Sequence, residues 1–182
     1  TIVFDAEKAL AVQAASVPCE IEIGMPFSNI KAKDNCVANI AEKEYTQGST
    51  FVITNVGGAK DVTINDDNRS NILRVVPQAD IASYVIYGYG GNDDLSHEGS
   101  SNGTIIAGEG QDIVRIFPKR GNLKINLDEV SDAKDVLHIT PDSTAGKIII
   151  EGFTASDRIT NPWTGQDYEH DLKSKNDIKR FI

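Results

Sequence analysis

The chain has little of what enzymes use most. Its 182 residues hold only three histidines, two cysteines, one methionine and one tryptophan. The spacings that give such residues a chemistry are missing as well. There is no HExxH zinc helix and no phosphate-binding glycine loop opening a helix, and no nucleophile–base pair can be named. No apolar run reaches ten uninterrupted residues, which argues against a membrane-spanning helix. Basic residues are outnumbered, 18 against 27 acidic, and the resulting charge of −9 opposes nucleic acid as a partner and favours cations as ligands. What is present is 40% apolar content and 15 glycines in a chain long enough for one medium domain. Such a domain buries about 70% of its unfolded surface.

Cys19 and Cys36 fit no CxxC metal or redox motif. A bridge between them would stabilise the fold by roughly 3 kcal/mol in the chain-entropy view. Two buried thiols are an equally simple reading, so the pairing stays open at this level. The chain begins at Thr1 without a Met, which reads as a processed protein or an excised fragment.

Along the chain, residues 1–47 read as an N-terminal cap or docking segment. They are rich in alanine around Phe4, Leu10 and Val12, with a helical stretch expected there, a short strand at Ile21 and Ile23, and a second short helix from Asp34 to Glu44. From Gly48 to about Pro162 the texture changes to brief apolar stretches separated by Gly, Asn, Asp and Ser. Strands are expected at Phe51–Thr54, Val62–Asn65, Ile72–Val76, Tyr84–Tyr87, Thr104–Ala107, Ile113–Phe117, Leu123–Leu127, Val136–Thr140 and Lys147–Glu151. Residues 163–182 read as a C-terminal capping tail, with Leu172, Ile178, Phe181 and Ile182 roughly on one helical face.

A repeat organises the middle region. The triplet Asp/Asn, spacer, apolar recurs at Asn71-Ile-Leu73, Asp93-Asp-Leu95, Asp112-Ile-Val114, Asp135-Val-Leu137 and Asp157-Arg-Ile159, with apolar members 22, 19, 23 and 22 residues apart. Such a period predicts a mainly β parallel solenoid of about five or six coils of 19 to 23 residues, with a small mixed N-terminal cap. A β-sandwich is the alternative. Alternation sets the expected register: Val75, Ile116 and Ile139 point inward, Arg74, Ser96, Arg115, His138 and Thr160 point outward, and His97 interrupts the inward set. Ile64, Ile105 and Leu123 echo the period at its half, as two strands per coil would require.

Two of these repeats carry glycine turns, Gly88-Tyr-Gly-Gly-Asn-Asp-Asp-Leu95 and Ala107-Gly-Glu-Gly-Gln-Asp-Ile-Val114. They resemble the hemolysin-type (RTX) calcium-binding nonapeptide, in which stacked glycine turns share a calcium ion. The segment Gly146-Lys-Ile-Ile-Ile-Glu-Gly-Phe153 with Ser156-Asp-Arg-Ile159 resembles the ends of RTX proteins. The resemblance implies one Ca²⁺ held by backbone carbonyls of Gly88, Gly90, Ala107 and Glu109 with the carboxylates of Asp93 and Asp112. It departs from the pattern where Tyr89 and Ala107 replace family glycines, and where the half-coil from Glu98 to Ile105 lacks the Asp. A competing reading makes the Asp side chains caps on neighbouring backbone amides.

The resemblance implies a secreted or cell-surface bacterial protein. The expected role is a calcium-stabilised structural or adhesive module, as a subunit of an extracellular fibre or surface assembly or the C-terminal part of an RTX-like exoprotein. Self-association through the solenoid ends is expected, with Ile2, Val3 and Phe4 able to complete a neighbour's sheet edge. A surface glycan or a protein is a further expected ligand. The alternative is a polysaccharide-acting β-helix enzyme or toxin domain using the outward row Arg74, Arg115 and His138, with Lys119 and Arg120 nearby. Asn68-Arg-Ser70 and Asn102-Gly-Thr104 match the N-glycosylation tripeptide, which occurs often by chance.

Overall fold

The computed structural model describes residues 17–23, 27–32, 35–40, 49–55, 61–76, 83–118, 121–127, 133–139 and 148–160. Every regular element among them is a strand. The first five are β1 (Val17–Pro18), β2 (Glu20–Glu22), β3 (Ser28–Ala32), β4 (Cys36–Asn39) and β5 (Thr50–Asn55). The middle of the chain forms β6 (Asp61–Asn65), β7 (Ile72–Val75), β8 (Ser83–Tyr87), β9 (Asp94–Gly99) and β10 (Asn102–Ile106). It closes with β11 (Ile113–Pro118), β12 (Leu123–Asn126), β13 (Val136–Ile139), β14 (Ile148–Glu151) and β15 (Arg158–Thr160).

From β3 onward the strands alternate between two sheets, and each pairs in parallel with the strand two places further along the chain. One sheet runs β1-β4-β6-β8-β10-β12-β14 and the other β15-β13-β11-β9-β7-β5-β3-β2. This is a parallel β-solenoid, as the period predicts, and the half-period residues Ile64, Ile105 and Leu123 all lie buried in the first sheet. Parallel pairing already starts at Val17, in register with Cys36, and continues at Ser28, inside the stretch expected to be a cap. The helix expected over Asp34 to Glu44 is corrected at its described part: Cys36–Asn39 is a strand. Its burial alternates along the strand, with Cys36 and Ala38 facing inward beside Val62 and Ile64. Pairing across the coil overrides a weak local helix preference. The expected N-terminal helical stretch, the Ile2–Phe4 edge, Lys119, Arg120, His170 and the capping tail lie outside the described residues.

The core is a set of columns. In the second sheet one column is Phe51, Leu73, Leu95, Val114, Leu137 and Ile159, each in register with the next and each buried. Stacking like residues in register lets each coil bury the face its neighbour exposes, so no coil needs a core of its own. One polar pair interrupts the interior: the Tyr84 hydroxyl lies 2.6 Å from His97 Nδ1, and the two rings stack 5.5 Å apart. Gly103 makes room for it, because a Cβ there would sit 2.2 Å from the Tyr84 ring. Burial pushes the His97 imidazole down to about 4 and the Tyr84 phenol well up.

The N-terminal edge is closed differently. β2 pairs antiparallel with β3, and Lys31 lies 2.9 Å from Glu22 and 3.6 Å from Glu20 across that pair. Charge on an edge strand discourages further pairing. Cys19 and Cys36 form a disulfide, with Cα atoms 5.0 Å apart, that ties the segment between β1 and β2 to β4. Reduction, or Cys19→Ser with Cys36→Ser, is expected to cost about 3 kcal/mol and to lower Tm by roughly 6–12 °C in calorimetry. An unchanged Tm under reductant would show that the sheet edges hold without the bridge.

Candidate functional site

The five Asp/Asn triplets come together as one stack of turns. Turns at Asp66–Asn71, Gly88–Asp93, Ala107–Asp112 and Gly152–Asp157 each leave a strand of the first sheet and enter a strand of the second, and between β12 and β13 the described residues are Leu127 and 133–135. At the start of the turns the ladder continues by backbone bonds: the N–H groups of Asp66, Gly88, Ala107 and Leu127 donate to Tyr87, Ile106, Asn126 and Glu151 of the next coil. At the far end side chains take over. The backbone N–H of Asn71 donates to Asp93 Oδ1 at 2.8 Å, Asp93 N–H to Asp112 Oδ1 at 2.8 Å, Asp112 N–H to Asp135 Oδ1 at 2.9 Å, and Asp135 N–H to Asp157 Oδ1 at 3.1 Å. The repeated carboxylates are thus caps on the preceding coil's amides, which explains why an acceptor of fixed short length recurs at this place.

A capping role uses only one oxygen of each group. Asp93 Oδ2 and Asp112 Oδ2 are buried with no hydrogen-bond partner within the protein, as are Asp66 Oδ2 and Asn71 Oδ1 one coil earlier. At Asp157 the second oxygen is satisfied, by the Thr154 N–H at 2.7 Å and its hydroxyl at 3.0 Å. Burial pushes the Asp93 carboxyl up to about 8 and the Asp112 carboxyl up to about 7. For Asp93, the neighbouring charges of Asp66, Asp112 and Asp67 push further in the same direction.

The register of the two glycine phrases is as expected. Gly90 pairs with Glu109 in an isolated parallel bridge, and Gly88 lies against Ala107, whose carbonyl oxygen sits 2.0 Å from where a Cβ on Gly88 would be. Tyr89, which stands where the nonapeptide has glycine, keeps the backbone that glycine would supply: its φ is 65°, and its counterpart one coil on, Gly108, has φ 98°. Among the described residues it is the one non-glycine in the left-handed region. Its hydroxyl lies 3.3 Å from Asn65 Oδ1 and its ring stacks on Tyr87 at 6.0 Å. Of the four carbonyls carried over from the resemblance, that of Gly88 accepts from the Gly90 N–H at 3.0 Å; the Tyr89 carbonyl, outside that set, accepts from the Glu109 N–H at 2.7 Å. Asp93 and Asp112 are brought together, each with one oxygen unclaimed. That donor set suits a hard cation, although no three His, Cys, Asp or Glu side chains group as a metal site among the described residues.

The outward row behaves otherwise. Arg115 grips Asp94 through two nitrogens at 2.8 and 3.0 Å, and His138 Nδ1 lies 2.5 Å from Thr160 Oγ1. Burial and the Arg115 charge lower the His138 pKa. Ser96 is buried although it belongs to this row, flanked in register by Arg74 and Arg115. Gly99-Ser-Ser-Asn-Gly103 matches GxSxG by letters, but it joins strands β9 and β10, whereas a nucleophile elbow needs a strand-to-helix turn. A shallow groove of about 440 Å³ on the first sheet is lined by Ser83, Asn102, Thr104, Asn122 and Lys124, which include no acid–base pair.

Comparison with protein-family models, curated proteins and solved structures returned no match. The chemistry of the turn stack therefore rests on this chain's own geometry.

Proposed function

We propose that the chain is a calcium-stabilised structural or adhesive module of a secreted or surface-displayed bacterial assembly. The observation that carries this reading is the turn stack: a continuous buried ladder of carboxylates, each committed to holding neighbouring coils together, with oxygens left over on successive rungs. A cation there would strengthen the coil-to-coil contact on which a solenoid depends. The Cys19–Cys36 bridge supports an oxidising compartment. The polysaccharide-acting alternative finds less support, because Arg115 is already engaged by Asp94.

The test is thermal melting of the intact chain in EDTA and in millimolar CaCl₂. By linkage, calcium at about 100 times its Kd adds ~2.7 kcal/mol, or roughly 5–11 °C in Tm. Asp93→Asn with Asp112→Asn should abolish the rise. An intact protein whose Tm ignores calcium would retire the calcium part of this reading.

A further inference from the structure

We propose that Asp66, Asn71 and Asp93 form a hard-cation site of the calcium class, one coil before the position that the nonapeptide resemblance implies. It rests on the calcium reading above for the identity of the ion, and on different residues for its place.

Asn71 is the hub. Its side-chain amide donates to Asp66 Oδ1 at 2.9 Å, to Asp67 Oδ1 at 3.1 Å and to the Arg69 carbonyl at 3.2 Å, while its backbone N–H donates to Asp93 Oδ1 at 2.8 Å. The Asp67 N–H donates to Asp66 Oδ1 as well, at 2.8 Å. Every one of these donors goes to the first oxygen of a carboxylate or to a carbonyl. What remains is three oxygens, Asp66 Oδ2, Asn71 Oδ1 and Asp93 Oδ2, on side chains that are 6%, 1% and 2% exposed and lack any partner within the protein. One orphaned buried oxygen is a tolerable defect; three on residues bonded to one another form a cluster of unpaired acceptors that a bound cation would satisfy together.

Space and charge agree with this. The Asp66 N–H bonds to Tyr87, so Asp66 stacks directly over Gly88, where the column has no side chain. Asp93 Oδ2 lies 3.2 Å from the point a Gly88 Cβ would occupy. Arg69 is held against Asp67, with Nη2 2.6 Å from Oδ2 and Nε 2.9 Å from it. Arg69 is thereby committed to the one carboxylate of the turn that is not orphaned. Two carboxylates and an amide oxygen make an all-oxygen set in an irregular turn. Calcium accepts such a set readily, whereas magnesium demands near-octahedral geometry and keeps its waters.

The experiment titrates the full chain with Tb³⁺, reading luminescence sensitised by Tyr87 and Tyr89, and displaces it with Ca²⁺; a calorimetric Ca²⁺ titration runs in parallel. Asp66→Asn keeps an acceptor for Asn71 and removes a buried charge, so it should stay folded, with a Tm in EDTA at or above that of the parent. It should weaken Ca²⁺ at least tenfold, while Asp112→Asn changes the affinity less than threefold. Asn71→Asp adds a third carboxylate and should tighten Ca²⁺ while lowering the Tm in EDTA. If Asp112→Asn abolishes binding and Asp66→Asn does not, the ion sits between the glycine phrases and this assignment falls while the calcium reading stands. If the parent binds neither ion, both fall together.

Discussion

Gly110→Ala is expected to destabilise the protein by about 3 kcal/mol or more, while Glu109→Ala, one residue away, should be nearly neutral. Gly110 has φ 145°, a backbone region essentially reserved for glycine, and a Cβ added there would sit 1.6 Å from the Gly91 carbonyl oxygen of the neighbouring coil. The strained backbone costs about 1–3 kcal/mol and the overpacking a similar amount. The obstacle is backbone on both sides, so no rotamer change relieves it. Glu109 is exposed, and its backbone N–H, which bonds Tyr89, survives the substitution. Equilibrium denaturation in urea separates the two variants, and a Gly110→Ala midpoint within error of the parent would mean that the turns do not stack as closely as described.

The second large effect is an acid-favoured stability profile in EDTA. Asp93, Asp66 and Asp112 titrate near 8, 7 and 7 in the folded chain against an ordinary value of 3.8. The folded state therefore holds these protons more tightly than the unfolded state. Their contribution is fully present below about pH 3.8 and is lost as pH rises through 7 to 8. His97 works in the opposite sense. Its folded pKa near 4 lies below the ordinary 6.5, so its contribution is present above pH 6.5 and declines as pH falls toward 4. Three carboxyls outweigh one imidazole, so Tm at pH 5 should exceed Tm at pH 8.5 by at least about 5 °C. Asp93→Asn should flatten the slope most. Asn71 holds the equivalent triplet position one coil earlier, so a side-chain amide is accommodated at that place in the turn. A Tm that climbs steadily from pH 5 to 8.5 in chelator would contradict the burial of these groups.

Much of the architecture was legible because the solenoid writes its period into the chain. Leu73, Leu95, Val114, Leu137 and Ile159 recur at one coil's spacing, each two residues past an Asp or Asn, and they form one column in the structure. β9 was not among the strands expected as such, since Leu95-Ser-His-Glu98 is mostly polar. It became a strand because Tyr84, on the other sheet, offers His97 a partner and Gly103 clears the space. β3 escaped for a similar reason: Ser28-Asn-Ile-Lys-Ala32 contains one large apolar residue, and its pairing to Phe51–Asn55 makes it a strand. The role of Asp66 was not legible at all. It lies outside the triplet, and only the ladder sets it over Gly88.

By itself the sequence determined the repeat length, the two strands per coil and the inward columns, because periodic burial must be encoded residue by residue. Tertiary structure alone decided three things: that the cysteines pair, that Tyr89 takes a glycine's backbone, and that each repeated carboxylate reaches back to the previous coil. These depend on which coil lies above which, a relation between residues about 20 positions apart, and local chemistry cannot express it. The glycine phrases show the difference, since their letters point to a metal turn between Asp93 and Asp112, and stacking places the larger group of unclaimed oxygens one coil earlier, around Asn71.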